Sequence, residues 1–221
     1  MLDRRAFVGF VIATALAGVP GARAQEAGRA QEAGRAQEAG RGQEADPAVA
    51  LVRGLYDGVR AASILGPVAA RLEALAEPFA RTFDYPAMMR LAYGGARWSK
   101  VPEPRQAALV EVFTRFFNAT YANRLSAAVG SSFEVQPASE PRGEGRLVRS
   151  RVTDPGGNVT AVDYVVGKGG RVTDVLLAGT VSEVASLRAE FDASVKGGGA
   201  DRLEAYMRQR VEGMLAAKPP G

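Results

Sequence analysis

The chain has 221 residues, no cysteine, no histidine and a net charge of +4. Without those two residue types it has no disulfide, no thiol nucleophile, no Ser/His/Asp triad, none of the usual Cys/His zinc sites and no lipid anchor on an N-terminal cysteine. Stability has to come from an apolar core, and the roughly 175 residues after Asp46 are enough to bury one in a single domain.

The charge is thinly spread. Arg4, Arg5 and Arg23 against Asp3 make the start +2, residues 25–46 sum to −2, and the remainder carries +4. A nucleic-acid surface needs a dense basic stripe interleaved with aromatic residues. The nearest approach, Arg142, Arg146, Arg149 and Arg151, reads as a solvated sheet face, so no nucleic-acid partner is expected.

Residues 1–24 have the form of an export signal: Arg4 and Arg5, an apolar run from Ala6 to Val19, and Ala22-Arg23-Ala24 as a cleavage site. The run is short for a membrane span. Arg4-Arg5-Ala6-Phe7-Val8 also resembles a twin-arginine motif, and either export route leads to the periplasm or beyond the cell. Residues 25–46 repeat QEAGRA with no apolar side chain larger than Ala, so they are expected to be a disordered linker.

The folded domain is expected over 47–216, followed by a loose tail at 217–221. Asp46 is a candidate N-cap with Pro47 at the first helical position, and Leu51, Leu55 and Val59 follow at helical spacing, although Gly54 and Gly58 weaken the pattern. A second helix begins at Gly66-Pro67 with Val68, Leu72, Leu75 and Phe79 on one face, and Pro78 predicts a break or kink near Ala76. A short helix from about Pro86 stops at Gly94-Gly95. Pro102 to Leu125 carries the strongest helical signal. Val110, Phe113, Phe117 and Tyr121 form one stripe beside Leu109, Val112 and Phe116, with Glu111, Arg115 and Asn118 expected on the wet side.

Past Gly130 the period changes to two, and four strands are predicted: around Phe133 and Val135, Leu147 to Thr153, Val159 to Val166, and Val172 to Leu177. Turn-rich stretches, Glu140 to Gly145 among them, separate them, which makes an antiparallel meander. Gly179 permits a sharp exit, Ser182 is a candidate cap, and two closing helices run from Ser182 to Val195 and from Asp201 to Ala216. The fold class is α+β: a helical layer on a four-stranded meander, with two C-terminal helices.

Chemistry-bearing groups are few. Asp163 and Asp174 on neighbouring strands are a possible acid and base pair, or else are paired with arginines such as Arg149 or Arg171. Tyr121 and Tyr164 can orient a polar group in a cavity, or can be core tyrosines with satisfied hydroxyls. Trp98 suits packing or pocket lining. Gly197-Gly198-Gly199 follows a helix and lacks a lysine, so it is no phosphate loop.

Three stretches, in this order and spacing, resemble the MlaC-like, toluene-tolerance family of periplasmic lipid-binding proteins. They are Phe83-Asp84-Tyr85-Pro86-Ala87-Met88-Met89 through Gly94 to Trp98, Phe113-x-x-x-Phe117 with Thr120-Tyr121-Ala122, and Val172-Thr173-Asp174-Val175 through Gly179 to Ser182, Arg188 and Phe191. Gly179-Thr180-Val181-Ser182-Glu183 and Gly197-Gly198-Gly199-Ala200-Asp201 are similar to the hopanoid-associated HpnM branch. The resemblance implies a monomeric periplasmic carrier without catalysis, metal or cofactor, which exchanges a hopanoid or phospholipid with a membrane lipid transporter. It would hold that lipid in an apolar cavity between helices and sheet. Val110, Phe113, Phe117 and Tyr121 would face Val162, Tyr164, Val175 and Leu177 across the tails, with Met88, Leu91 and Trp98 near one end. A small exported enzyme using Asp163 or Asp174, and a partner-binding module with a filled core, are the alternatives.

Overall fold

The structure, a computed structural model, describes residues 46–217. The expected export signal, the repeat up to Ala45 and residues 218–221 lie outside them.

Five helices come first: α1 (Pro47–Ser63), α2 (Val68–Thr82), α3 (Tyr85–Tyr93), the single turn α4 (Gly95–Trp98) and α5 (Glu103–Arg124), which runs into a 3₁₀ turn at Leu125–Ala128. Asp46 caps α1 by accepting the N–H groups of Ala48 and Val49 at 3.0 and 3.3 Å. Asp84 caps α3 in the same way through Ala87 at 3.0 Å, and Gly94 ends that helix at φ +96°.

α2 does not break at its proline, one of the two outcomes expected there. It continues through Pro78 to Thr82 rather than breaking near Ala76, because its neighbours Leu75 and Phe79 are sealed in the core and the proline ring packs on α1. Gly58 of α1 makes that approach possible: a Cβ there would lie 2.6 Å from the Pro78 ring. α5 buries Phe113 and Phe117 of the first predicted stripe together with Leu109, Val112 and Phe116 of the second, while Val110 and Tyr121 are only partly covered. Asn118, expected to be wet, is only 5% exposed. Its Oδ1 accepts the buried Tyr85 hydroxyl at 2.5 Å, which satisfies both groups.

The sheet has seven antiparallel strands where four are predicted: β1 (Ser132–Val135), β2 (Glu140–Arg142), β3 (Gly145–Val148), β4 (Ser150–Thr153), β5 (Val159–Val166), β6 (Val172–Leu177) and β7 (Val181–Ser182). Long β5 is the spine, with β6 along one edge and β3 and β4 in succession along the other. The run expected as one strand from Leu147 to Thr153 is interrupted at Arg149, where the Asp163 carboxylate accepts the Ser150 N–H at 3.2 Å. β2 lies inside the stretch read as turn, and β7 forms a hairpin with β6 through Ala178 and Gly179, at φ +51° and +73°.

The chain closes with α6 (Glu183–Ala216), broken at Gly198 and Gly199 into the two expected helices. Among the described residues no helix is long and apolar enough to cross a membrane. One sheet face packs on the helices through Val148, Tyr164, Val166, Val172 and Val175. Leu147, Asp163 and Leu176 are buried on the other face.

Candidate functional site

Directly paired residues of an antiparallel sheet share a face, so Tyr164 with Val175, Val162 with Leu177, and Leu177 with Val181 all belong to the helix-facing side. Burial falls off along these strands in one direction. On β6, Val172 and Val175 are sealed and Leu177 is half-covered; beyond the turn Val181 is 52% exposed. On β5, Val166 and Tyr164 are buried and Val162 is half-covered. The helices cover one half of this face and leave the other partly open.

The covered half is filled with rings. Phe117 lies 5.0 Å from Phe83, 5.9 Å from Phe113, 6.0 Å from Tyr85 and 6.2 Å from Phe79 between centroids. Met88, Tyr164 and Val175 are buried in the same cluster. At the open half stand Tyr121, Val162, Leu177, Phe133 and Val152, all partly exposed and packed on the core edge. The residues expected to form one wall therefore divide. Met88, Phe113, Phe117, Tyr164 and Val175 lie in the sealed region, and Tyr121, Val162 and Leu177 at its open margin. Val110 and Trp98 instead line a cleft of about 790 Å³ between α3 and α5, and Leu91 is 49% exposed on α3. A second cleft, of about 680 Å³, runs along α2, α5 and the end of α6; Leu72, Val112 and Val211 form its floor and Glu73, Arg115 and Arg208 its rim.

Polar groups punctuate the open half. The Tyr56 hydroxyl shares a 2.7 Å hydrogen bond with Ser150 Oγ, and that hydroxyl donates to the Val162 carbonyl. The Tyr121 hydroxyl is buried with no hydrogen-bond partner among the described residues. Burial raises the pKa of Tyr56, Tyr121 and Tyr164 above the ordinary phenol value, so all three stay protonated at neutral pH. Beside them Arg124 stacks on the Tyr121 ring at 5.4 Å and pairs with buried Glu183 at 2.9 Å. Tyr56, Ser150, Phe133 and the Arg124–Glu183 pair are not among the site residues expected from the sequence. Tyr56 was within reach, since Val49, Val52 and Tyr56 recur at i, i+3, i+7 and are all buried. The ion pair spans two distant elements and has no local signature.

Asp163 and Asp174 are committed elsewhere. Asp163 takes the Ser150 N–H and pairs with Arg149 at 3.4 Å. Asp174 Oδ2 accepts the Ser182 hydroxyl at 2.6 Å and its Oδ1 the Val184 N–H at 3.1 Å, completing the cap of α6. Among the described residues no group of three acids is placed to hold a metal ion.

A family model described as MlaC protein matches residues 60–209, from the second half of α1 into the last helix. The chain belongs to the MlaC family. The three ordered stretches that suggest this from sequence fall within those bounds. The fold is similar to that of the phospholipid-binding protein from Ralstonia solanacearum, a structure solved in complex with a phospholipid. The TM-score is 0.65 at 22% identity, over 77% of this chain and 99% of that one. None of the curated proteins matches the sequence.

Proposed function

We propose that this MlaC-family chain is a periplasmic carrier that takes up the hydrocarbon part of a lipid over the open half of the sheet. It then exchanges that lipid with a membrane transport component. The observation that carries the reading is the loss of cover from Val175 through Leu177 to Val181, an apolar row that continues past the helices meant to seal it. A family fold also seen around a phospholipid supports it.

Each buried methylene is worth ~0.8 kcal/mol, so a chain of about 16 carbons favours an apolar site over water by on the order of 13 kcal/mol. Such a lipid crosses an aqueous gap only in a carrier. The export signal read in residues 1–24 supports a periplasmic location. The hopanoid-branch features at Gly179–Glu183 and Gly197–Asp201 favour a hopanoid cargo, and the structural relative favours a phospholipid.

Native mass spectrometry after mild purification is the test. A mass excess that organic extraction removes is expected, and the extracted lipid separates a rigid triterpenoid from a diacyl phospholipid. A protein that always flies at its bare mass, even after incubation with lipid vesicles, overturns the reading.

A further inference from the structure

We propose that the Tyr121 hydroxyl hydrogen-bonds an oxygen of the bound lipid, so that the cargo carries an ester carbonyl or a hydroxyl at the buried end of its contact and is not bare hydrocarbon. This deepens the carrier reading and rests on it.

The ring of Tyr121 is held on three sides. Phe117 lies 4.7 Å away, Phe79 5.7 Å, and the Arg124 guanidinium 5.4 Å. Its oxygen is buried, and no described residue bonds it. Three nearby acceptors, Glu183, Asp174 and Tyr56, already have partners of their own. Glu183 is paired with Arg124. Asp174 holds the Ser182 hydroxyl and two backbone N–H groups. Tyr56 is bonded to Ser150, which in turn is bonded to Val162. The residues that raise the proton affinity of Tyr121, after burial itself, are the carboxylates Glu183 and Asp174 and the phenol of Tyr56, offset by Arg124. The hydroxyl therefore keeps a proton to donate.

A buried donor left unpaired is costly, whereas the same donor paired with a ligand oxygen recovers that cost. A site with such a group rejects an analogue lacking the oxygen far more strongly than an all-apolar wall does. Tyr164 and Asp174, which interact with it electrostatically, lie on β5 and β6 two and three residues from half-covered Val162 and Leu177, the strands along which a tail on the open sheet would run.

The experiment uses delipidated full-length protein and vesicles of dioleoyl phosphatidylglycerol doped with matched pairs in equal amounts. One pair is a dipalmitoyl ester phospholipid and its dihexadecyl ether analogue, and the other a hopanol and the corresponding hopene. Lipid recovered with the re-isolated protein is then quantified. The wild type is expected to enrich the oxygenated member of at least one pair by about 10-fold or more, and which pair responds tells an ester carbonyl from a hydroxyl. Tyr121→Phe is expected to bring that ratio to about one while still taking up lipid, and to melt, lipid-free, no lower than the wild type. A merely structural hydroxyl would lower the melting temperature and leave the ratio unchanged. A wild type that loads lipid without preference, or a Tyr121→Phe protein that keeps it, overturns the inference and leaves the carrier reading standing. A wild type that loads no lipid overturns both, and the wild-type ratio needs no variant to fold.

Discussion

Asp46 joins what the sequence suggests locally to what only the fold supplies. Its Oδ1 caps α1, as the Asp-Pro pair predicts, while its Oδ2 accepts the hydroxyl and the N–H of Ser139 at 2.6 and 2.9 Å, 93 residues further on. These bonds, the Ser139 hydroxyl foremost, lower its pKa from 3.8 to about 2 against the opposing effect of burial. A carboxylate depressed in this way stabilises the fold fully above its unfolded pKa of 3.8, and the contribution is lost as pH falls through about 2. Asp46→Ala is therefore expected to cost ~1–2 kcal/mol near neutral pH in urea unfolding, with the gap to wild type closing as pH falls from about 4 to about 2. A gap that stays constant over that range would refute the account. Ser182 and Gly94 were legible for the same reason as the cap, because their chemistry is local. Asn118 was not, since its environment is set by Tyr85 across a helix crossing that no spacing encodes.

The two glycines that weaken the pattern of α1 have opposite roles in the packed element. Gly54 is exposed with no atom within 4 Å of an added Cβ, so only its backbone freedom counts. Gly58 faces the Pro78 ring at 2.6 Å, where an added methyl must push α1 and α2 apart. Gly54→Ala is expected to stabilise the protein by ~0.5–1 kcal/mol and Gly58→Ala to destabilise it by ~1–3 kcal/mol, both read from chemical denaturation. Equal effects at the two sites would mean that the helices do not meet there. Helix limits were readable because the 3.6 period, the caps and the glycine stops agree. Strand number was not: Arg149 fits an alternating pattern, and the carboxylate that interrupts the ladder there, Asp163, comes from a different strand. β2 was hidden because Glu140-Pro141-Arg142 has turn composition and pairs only along its β3 edge.

At the scale of the molecule, the proposed lipid site and the sealed core lie at different places along the same strands. The sequence identifies the family and the apolar partners, but alternation cannot say how far the helices reach over the sheet, so Phe117 and Leu177 look alike in it. In the fold Phe117 is 1% exposed within a cluster of rings, and Leu177 is half-covered beside Val162 and exposed Val181. Truncating the first removes sealed contacts and leaves a cavity; truncating the second removes surface that the lipid-free protein only partly buries. Phe117→Ala is accordingly expected to cost ~3–5 kcal/mol of unfolding free energy, against about 1 kcal/mol for Leu177→Ala. The lipid copurifying with the protein should fall more for Leu177→Ala than its small stability loss explains, because part of the apolar surface offered to the tail is gone. Denaturation of the delipidated variants alongside lipid extraction from the purified ones checks both halves of the claim. If Leu177→Ala keeps a full complement of lipid, the open half of the sheet is not where the tail lies.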